Sequence, residues 1–293
     1  MRKFLRAVQR ILLAPFRLIF SLLRGIARWF TNTIQRINNF FTEEPEDSPL
    51  PDAFAKSVEN PMGVLEHLDA LRKHLLRAVV FMAVTTAFAF VFARQIIDLL
   101  ASPIGGIAGL NPIDITEPIG VFMRVSLLVG FALALPYIAL ELWMFAAPGL
   151  SRRSRIWGLL AIPAVAVFFV AGMSFAYFIM LPAAIPFLLN FLGMTPQIRP
   201  SSYIGFTTGL MFWVGVAFEF PLVIFVLAGM GLVKADTLAK QWRLAIVAIA
   251  VISAAITPTI DPVNMALVMG PMILLYFFSI GLASIAQRGR STA

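Results

Sequence analysis

Cysteine is absent from the 293 residues, so disulfides, thiolate metal sites and thiol nucleophiles are excluded together. Histidine occurs only twice, as His67 and His74, which leaves too little for a metal cluster, and neither a metal nor a cofactor is expected. Charge is scarce as well. Lys, Arg, Asp and Glu make up 13% of the chain, about half of the roughly 25% of a soluble domain. Hydrophobic residues fill 60% of it, with 27 Phe and 13 Met. The uncharged stretches recur at lengths near the roughly 20 residues that a helix needs to cross a hydrocarbon core of about 30 Å. The composition therefore describes a polytopic all-α membrane protein with no soluble domain of useful size, and chemistry on a substrate is not expected of it. The net charge of +8 would suggest nucleic acid for a soluble protein, but here membrane topology accounts for it and no nucleic-acid partner is expected.

Acids are missing from residues 1–41, which hold eight basic residues. At 100° per residue Lys3, Arg6, Arg10, Arg17, Arg24 and Arg28 fall within about 60° of one another, opposite Leu5, Leu12, Phe16, Ile19 and Phe30. This pattern suits a basic amphipathic helix lying on an anionic membrane surface. A cleaved organelle transit peptide is the rival, although such peptides are Ser-rich and this segment has only Ser21. Residues 42–61 reverse the charge and add four prolines, as a solvated linker does.

Charges partition the rest of the chain. Residues 78–93, 125–140, 244–260 and 262–287 are uncharged, and 200–233 contain only Glu219. The uncharged run 156–198 holds 43 residues, about 65 Å as one helix, so it has to turn, and Pro182, Pro186 and Pro196 mark where. Six spans result, within a membrane domain over 62–286 that is followed by a basic tail at 287–293. The fifth is short because Pro258 interrupts it after about 14 residues. If the amino terminus is cytoplasmic, that side carries 20 of the 23 Lys and Arg, leaving Arg94, Arg124 and Arg199 outside. By the positive-inside rule both termini are cytoplasmic. Arg72, Lys73 and Arg77 then hold the first helix by its cytoplasmic end and snorkel to water.

Two acids stand out. Glu219, in "GVAFEFPLV", lies near mid-membrane, where an acid costs about 2.5–3.5 kcal/mol on insertion scales. It faces a cavity, a polar partner or another subunit, or it is a protonated structural acid, and Pro221 frees a backbone carbonyl beside it. Glu141, near the cytoplasmic end of the second span beside Trp143 and Phe145, is either a belt residue among headgroups or part of an acidic, aromatic face with Glu66 and Asp69 that holds a basic peptide.

The stretches "HLDALRKHL", "SPI", "ALPYIALELWMFAAPGL", "GMSFAYFIMLP", "GVAFEFPLVIFVL" and "ITPTIDPVNM", in order over about residues 62–286, resemble the TatC family, the core receptor subunits of the twin-arginine protein translocase. The resemblance implies six helices with both termini cytoplasmic, shortened fifth and sixth helices and a concave, glove-like shape. It also implies a multimeric complex in the bacterial cytoplasmic (inner) membrane. There the protein binds signal peptides of folded precursors carrying paired arginines and works with TatA- and TatB-type subunits under the proton motive force. By the same resemblance Arg72 is the basic residue of the first cytoplasmic motif, Phe145 the aromatic before the first loop, Glu219 the intramembrane acid, and Pro103 and Asp261 residues of the outer loops. Ala70, Ser154 and Phe277 stand where the family usually has Glu, which passes the recognition of arginines to Glu66, Asp69 and Glu141. Glu66 shares the face of Ala70, one turn earlier. The alternatives are a proton-coupled small-solute transporter using Glu219, against which the lack of an internal repeat weighs, and a degenerate TatC paralogue with an assembly role.

Overall fold

A computed structural model of the chain describes residues 61–147, 152–190, 197–257 and 262–291. The chain divides into two compact units, Met1–Ser48 and Pro49–Ala293, and every described residue belongs to the second. The expected surface helix at 1–41 and most of the linker at 42–61 lie outside the described residues, as does Asp261.

All regular structure among the described residues is helical. Helix α1, Pro61–Ala89, carries the charged "EHLDALRKHL" stretch directly into the first apolar run. It ends in a tightened turn whose bonds run from Val91 N–H to Phe88 O (3.2 Å) and from Phe92 N–H to Ala89 O (3.1 Å). Beyond the turn α2, Ala93–Ala101, departs at 74°. Its exposed carbonyl end is closed by tyrosines from other helices: Tyr177 donates to Leu99 O (2.6 Å) and Tyr203 to Leu100 O (2.9 Å). Gly105 and Gly106, at φ +91° and +78°, let the chain reverse there, and Pro103 stands exposed in the one-turn helix just before them.

Helix α3, Glu117–Ala146, is the second span and packs along α1. Gly130 makes that approach close, since a Cβ there would lie 2.8 Å from the backbone nitrogen of Thr86. The third span departs from the proline-based expectation. Helix α4, Arg152–Phe175, continues through a π turn, Ala176–Met180, into α5, Leu181–Asn190, so neither Pro182 nor Pro186 ends it. The wide turn accounts for this. Leu181 N–H pairs with Ala176 O, five residues back, which re-registers the backbone just before the proline that cannot donate.

The fourth span is α6, Pro200–Phe218, and α7, Phe220–Met230, broken at Glu219 two residues before Pro221. After the short α8, Ala235–Lys240, comes α9, Trp242–Ile256. Its 15 residues give about 22 Å, the expected short span. Helix α10, Pro262–Ser291, corrects the expected short sixth helix. It has 30 residues, about 45 Å, passes through Pro271 and continues into the basic tail.

Four stretches of helix are long and apolar enough to cross a membrane, the bent pair α1–α2 makes a fifth, and α9 is a shorter apolar helix. Helices α4 and α6 pack together, as do α7 and α10. The main core joins Leu100, Val125, Leu128, Met180, Leu181, Ile204 and Val268. Many large apolar side chains face outward, among them Val167 (66% exposed), Leu244 (67%) and Leu274 (71%), as a bundle solvated by lipid requires.

Candidate functional site

Charges gather at the two ends of α3. At the end near Ala146, Glu141 is only 2% exposed. Arg77 of α1 donates to its Oε2 through Nε (3.0 Å), with Nη2 at 2.9 Å. His74 Nδ1 lies 2.6 Å from the same oxygen and 2.8 Å from Arg77 Nη2, while the Tyr137 hydroxyl donates to Oε1. A carboxylate leaving water needs this many partners, and all of them come from α1 or from one turn back on α3.

Glu141 is thus enclosed by Arg77, His74 and Tyr137, unlike the exposed Asp69. Arg77 turns its guanidinium onto Glu141 while its side chain stays 28% exposed. Phe145, a turn further along α3, stacks on His67 at 4.4 Å and meets His74 edge-on at 6.1 Å, so both histidines flank one ring. Asp69 is exposed and pairs with Lys73 at 2.6 Å, one turn on, while Arg72 is exposed. Asp69, Ala70, Lys73, His74 and Arg77 line a pocket of about 320 Å³. Glu66 lies on α1 one turn before Ala70, and its side chain is outside the described set. Ser154 occupies the first turn of α4, and Phe277 points outward from α10.

At the opposite end of α3, Glu117 is 7% exposed and accepts from the Arg199 guanidinium at the start of α6, whose Nε stands at 2.9 Å, and from Ser201 Oγ at 3.2 Å. The pair ties the second span to the fourth. Sequence reasoning missed Glu117 and Arg199 as partners, along with His74, Arg77 and Tyr137. One signal was present: a carboxylate in the first turn of a long apolar helix is favoured by the helix dipole, but the partner 82 residues away carries no local trace.

Glu219 sits at the break between α6 and α7, half-buried. Its N–H bonds to Val216 O at 3.1 Å and its Oε1 is buried with no hydrogen-bond partner among the described residues. The carbonyl-freeing effect expected of Pro221 is thus realised as a break in the span, with the acid placed on it. Among the described residues no group of three or more His, Asp or Glu is placed to hold a metal ion.

The family model described as Sec-independent protein translocase protein (TatC) matches residues 66–271. The TatC protein of Deinococcus radiodurans is 35% identical over 250 residues, covering 82% of this chain and 92% of that protein. That of Carboxydothermus hydrogenoformans is 32% identical over 228 residues, covering 77% and 94%. A crystal structure described as the twin-arginine translocase receptor TatC superposes with a TM-score of 0.65 at 34% identity, covering 75% of this chain and 99% of that one. The stretch matched by the family model contains both charged clusters. The chain belongs to the TatC family: it is a non-enzymatic, all-α membrane subunit of the Sec-independent, twin-arginine protein translocase.

Proposed function

We propose that this subunit receives the signal peptides of folded precursors, with their paired arginines, at the end of the bundle where α1 and α3 carry the Glu141 cluster, and that it organises TatA- and TatB-type subunits for export driven by the proton motive force. The observation that carries the reading is the pocket over Asp69, Ala70, Lys73, His74 and Arg77, beside the Phe145–His67 stack, in a chain that matches a solved receptor over 75% of its length. The membrane is the bacterial inner membrane, crossed six times with both termini inside, as the distribution of 20 of 23 basic residues supports. Reporters fused after Arg155 or Lys240 should behave as cytoplasmic, and those after Asp114 or Pro196 as exported. An exported signal at Arg155 reverses the assignment.

In this reading Glu66 and Asp69 supply the accessible carboxylates that meet a signal arginine, and Arg72 frames them. Glu141 acts from beneath by pairing with Arg77 and His74, which offsets their charge at the wall of that pocket. Glu219 offers a carboxyl group to a partner helix within the membrane, while Pro103 and Asp261 shape the turns at the far side. Residues 1–41 lie on the anionic lipid surface, joined by the linker at 42–61.

Site-specific crosslinking of a twin-arginine precursor in native membranes, with probes at Glu66 and Phe145, tests the proposal. Adducts are expected at both positions and should be lost when the precursor's arginine pair is changed to lysines. Glu66→Gln with Asp69→Asn should lower the yield several-fold, in line with about 1 kcal/mol for each exposed arginine–carboxylate pair, and Ala70→Glu should restore it. A yield indifferent to all of these changes removes signal recognition from this face and leaves the assembly role.

A further inference from the structure

Arg124 is the one basic residue placed well inside an apolar span whose charge no described carboxylate answers. It follows Glu117 by seven residues on α3, about 10 Å along the helix. Glu117 is already engaged by Arg199 and Ser201. The described hydrogen bond of Arg124 runs from Nη1 to Ser201 O at 3.5 Å, the limit of such a bond. The guanidinium lies over α6 at Gly205, where a Cβ would collide with it, so the glycine makes the room it occupies. From that cation a groove of about 380 Å³ runs on between α1, α3 and α6, walled by Met82, Leu127, Leu128, Phe131 and Phe212. Its lining lies one to two turns deeper than Arg124 on α3, toward the middle of the span. Gly209 opens its floor, since a Cβ there meets nothing within 4 Å.

We propose that this groove is a phospholipid site: the lipid phosphate sits on the Arg124 guanidinium and one acyl chain lies against Leu127, Leu128, Phe131 and Phe212. The shape of the site argues for this occupant. A cation within snorkelling reach of the headgroups at one end and a largely apolar wall below it, whose one hydroxyl, on Thr208, is turned onto Ile204 O, match an amphiphile with an anionic head, whereas an apolar partner helix would leave the guanidinium buried without a counter-charge. Charge complementarity with phosphate is bidentate and therefore favours arginine at this position. Assigning the lipid to the outer leaflet rests on the orientation proposed above, whereas the site itself does not.

Native mass spectrometry of the full detergent-solubilised chain tests it without any precursor, so its outcome is separate from that of signal capture. Offered phosphatidylglycerol and diacylglycerol with identical chains, the protein is expected to retain the phosphatidylglycerol at least fivefold better. Arg124→Gln should abolish that preference, Arg124→Lys, which keeps the charge but loses the bidentate contact, should keep only part of it, and Gly209→Leu, which fills the groove from an open position, should lower retention of both lipids. Soluble glycerol phosphate should not compete, because it lacks the tail. A preference unchanged in folded Arg124→Gln protein overturns the proposal. So does competition by soluble glycerol phosphate, or displacement of the lipid by an apolar transmembrane peptide with retention insensitive to Gly209→Leu.

Discussion

Glu141→Leu is expected to destabilise the purified protein by about 3 kcal/mol, seen as a lowered melting temperature in detergent. The substitution leaves Arg77, His74 and Tyr137 facing an apolar side chain in a site where Glu141 is 2% exposed. Removing one partner of a buried pair usually costs about 3–5 kcal/mol, because the other charge stays desolvated. The lower end applies here: the Arg77 side chain is 28% exposed and has some access to water. Arg77→Met should cost a similar amount, and the double variant much less than the sum, with a coupling of about 1–3 kcal/mol. Additive effects would mean that the two groups act independently, against the geometry. Glu141→Gln should be milder, since its amide keeps an acceptor for Tyr137.

At Glu219 stability and function should move in opposite directions. Its Oε1 is buried without a hydrogen-bond partner among the described residues, and relieving such a group is worth about 1–3 kcal/mol, so Glu219→Leu should melt at a higher temperature than the parent. The same change should abolish export of a folded precursor and the recovery of partner subunits with the solubilised protein. Glu219→Gln, which keeps a polar group at the break between α6 and α7, should retain most of both. The acid would thus be a hydrogen-bonding group held open for a partner, a local cost of the kind that functional sites carry. Full export by Glu219→Leu would reduce the residue to a structural acid at a helix break. A proton-carrying role separates from both, since Gln would then be as inactive as Leu.

The apolar spans were legible because a lipid environment penalises charge wherever it falls along a span, so runs with little or no charge mark α3, α6–α7, α9 and α10. The short α9 was legible for the same reason, through Pro258. The end of the third span was less so. Proline rules marked the turn at Pro182, Pro186 and Pro196, but the π turn at Ala176–Met180 shifts the hydrogen-bond register and carries the helix past the first two to Asn190, while Pro196 lies outside the described residues. The sixth helix likewise runs 30 residues through Pro271. A proline's missing donor can be absorbed by the backbone around it, and that adjustment has no signature in the residue pattern.

Composition and the order of apolar runs determined by themselves that this is an all-helical membrane protein, because burial in lipid depends on each segment's own hydropathy and length. The motif order pointed to its family for a related reason: the prolines, acids and aromatics at span ends are local. Only the tertiary structure decided what each charge does. Glu141 and Asp69 look alike in sequence, two carboxylates near basic residues. One is sealed between Arg77, His74 and Tyr137, and the other stands exposed beside Lys73. Glu117 finds Arg199 across 82 residues, while Arg124 is left facing a groove. Electrostatic pairing depends on distances of about 3 Å between side chains from different helices, and those distances exist only once α1, α3 and α6 have packed.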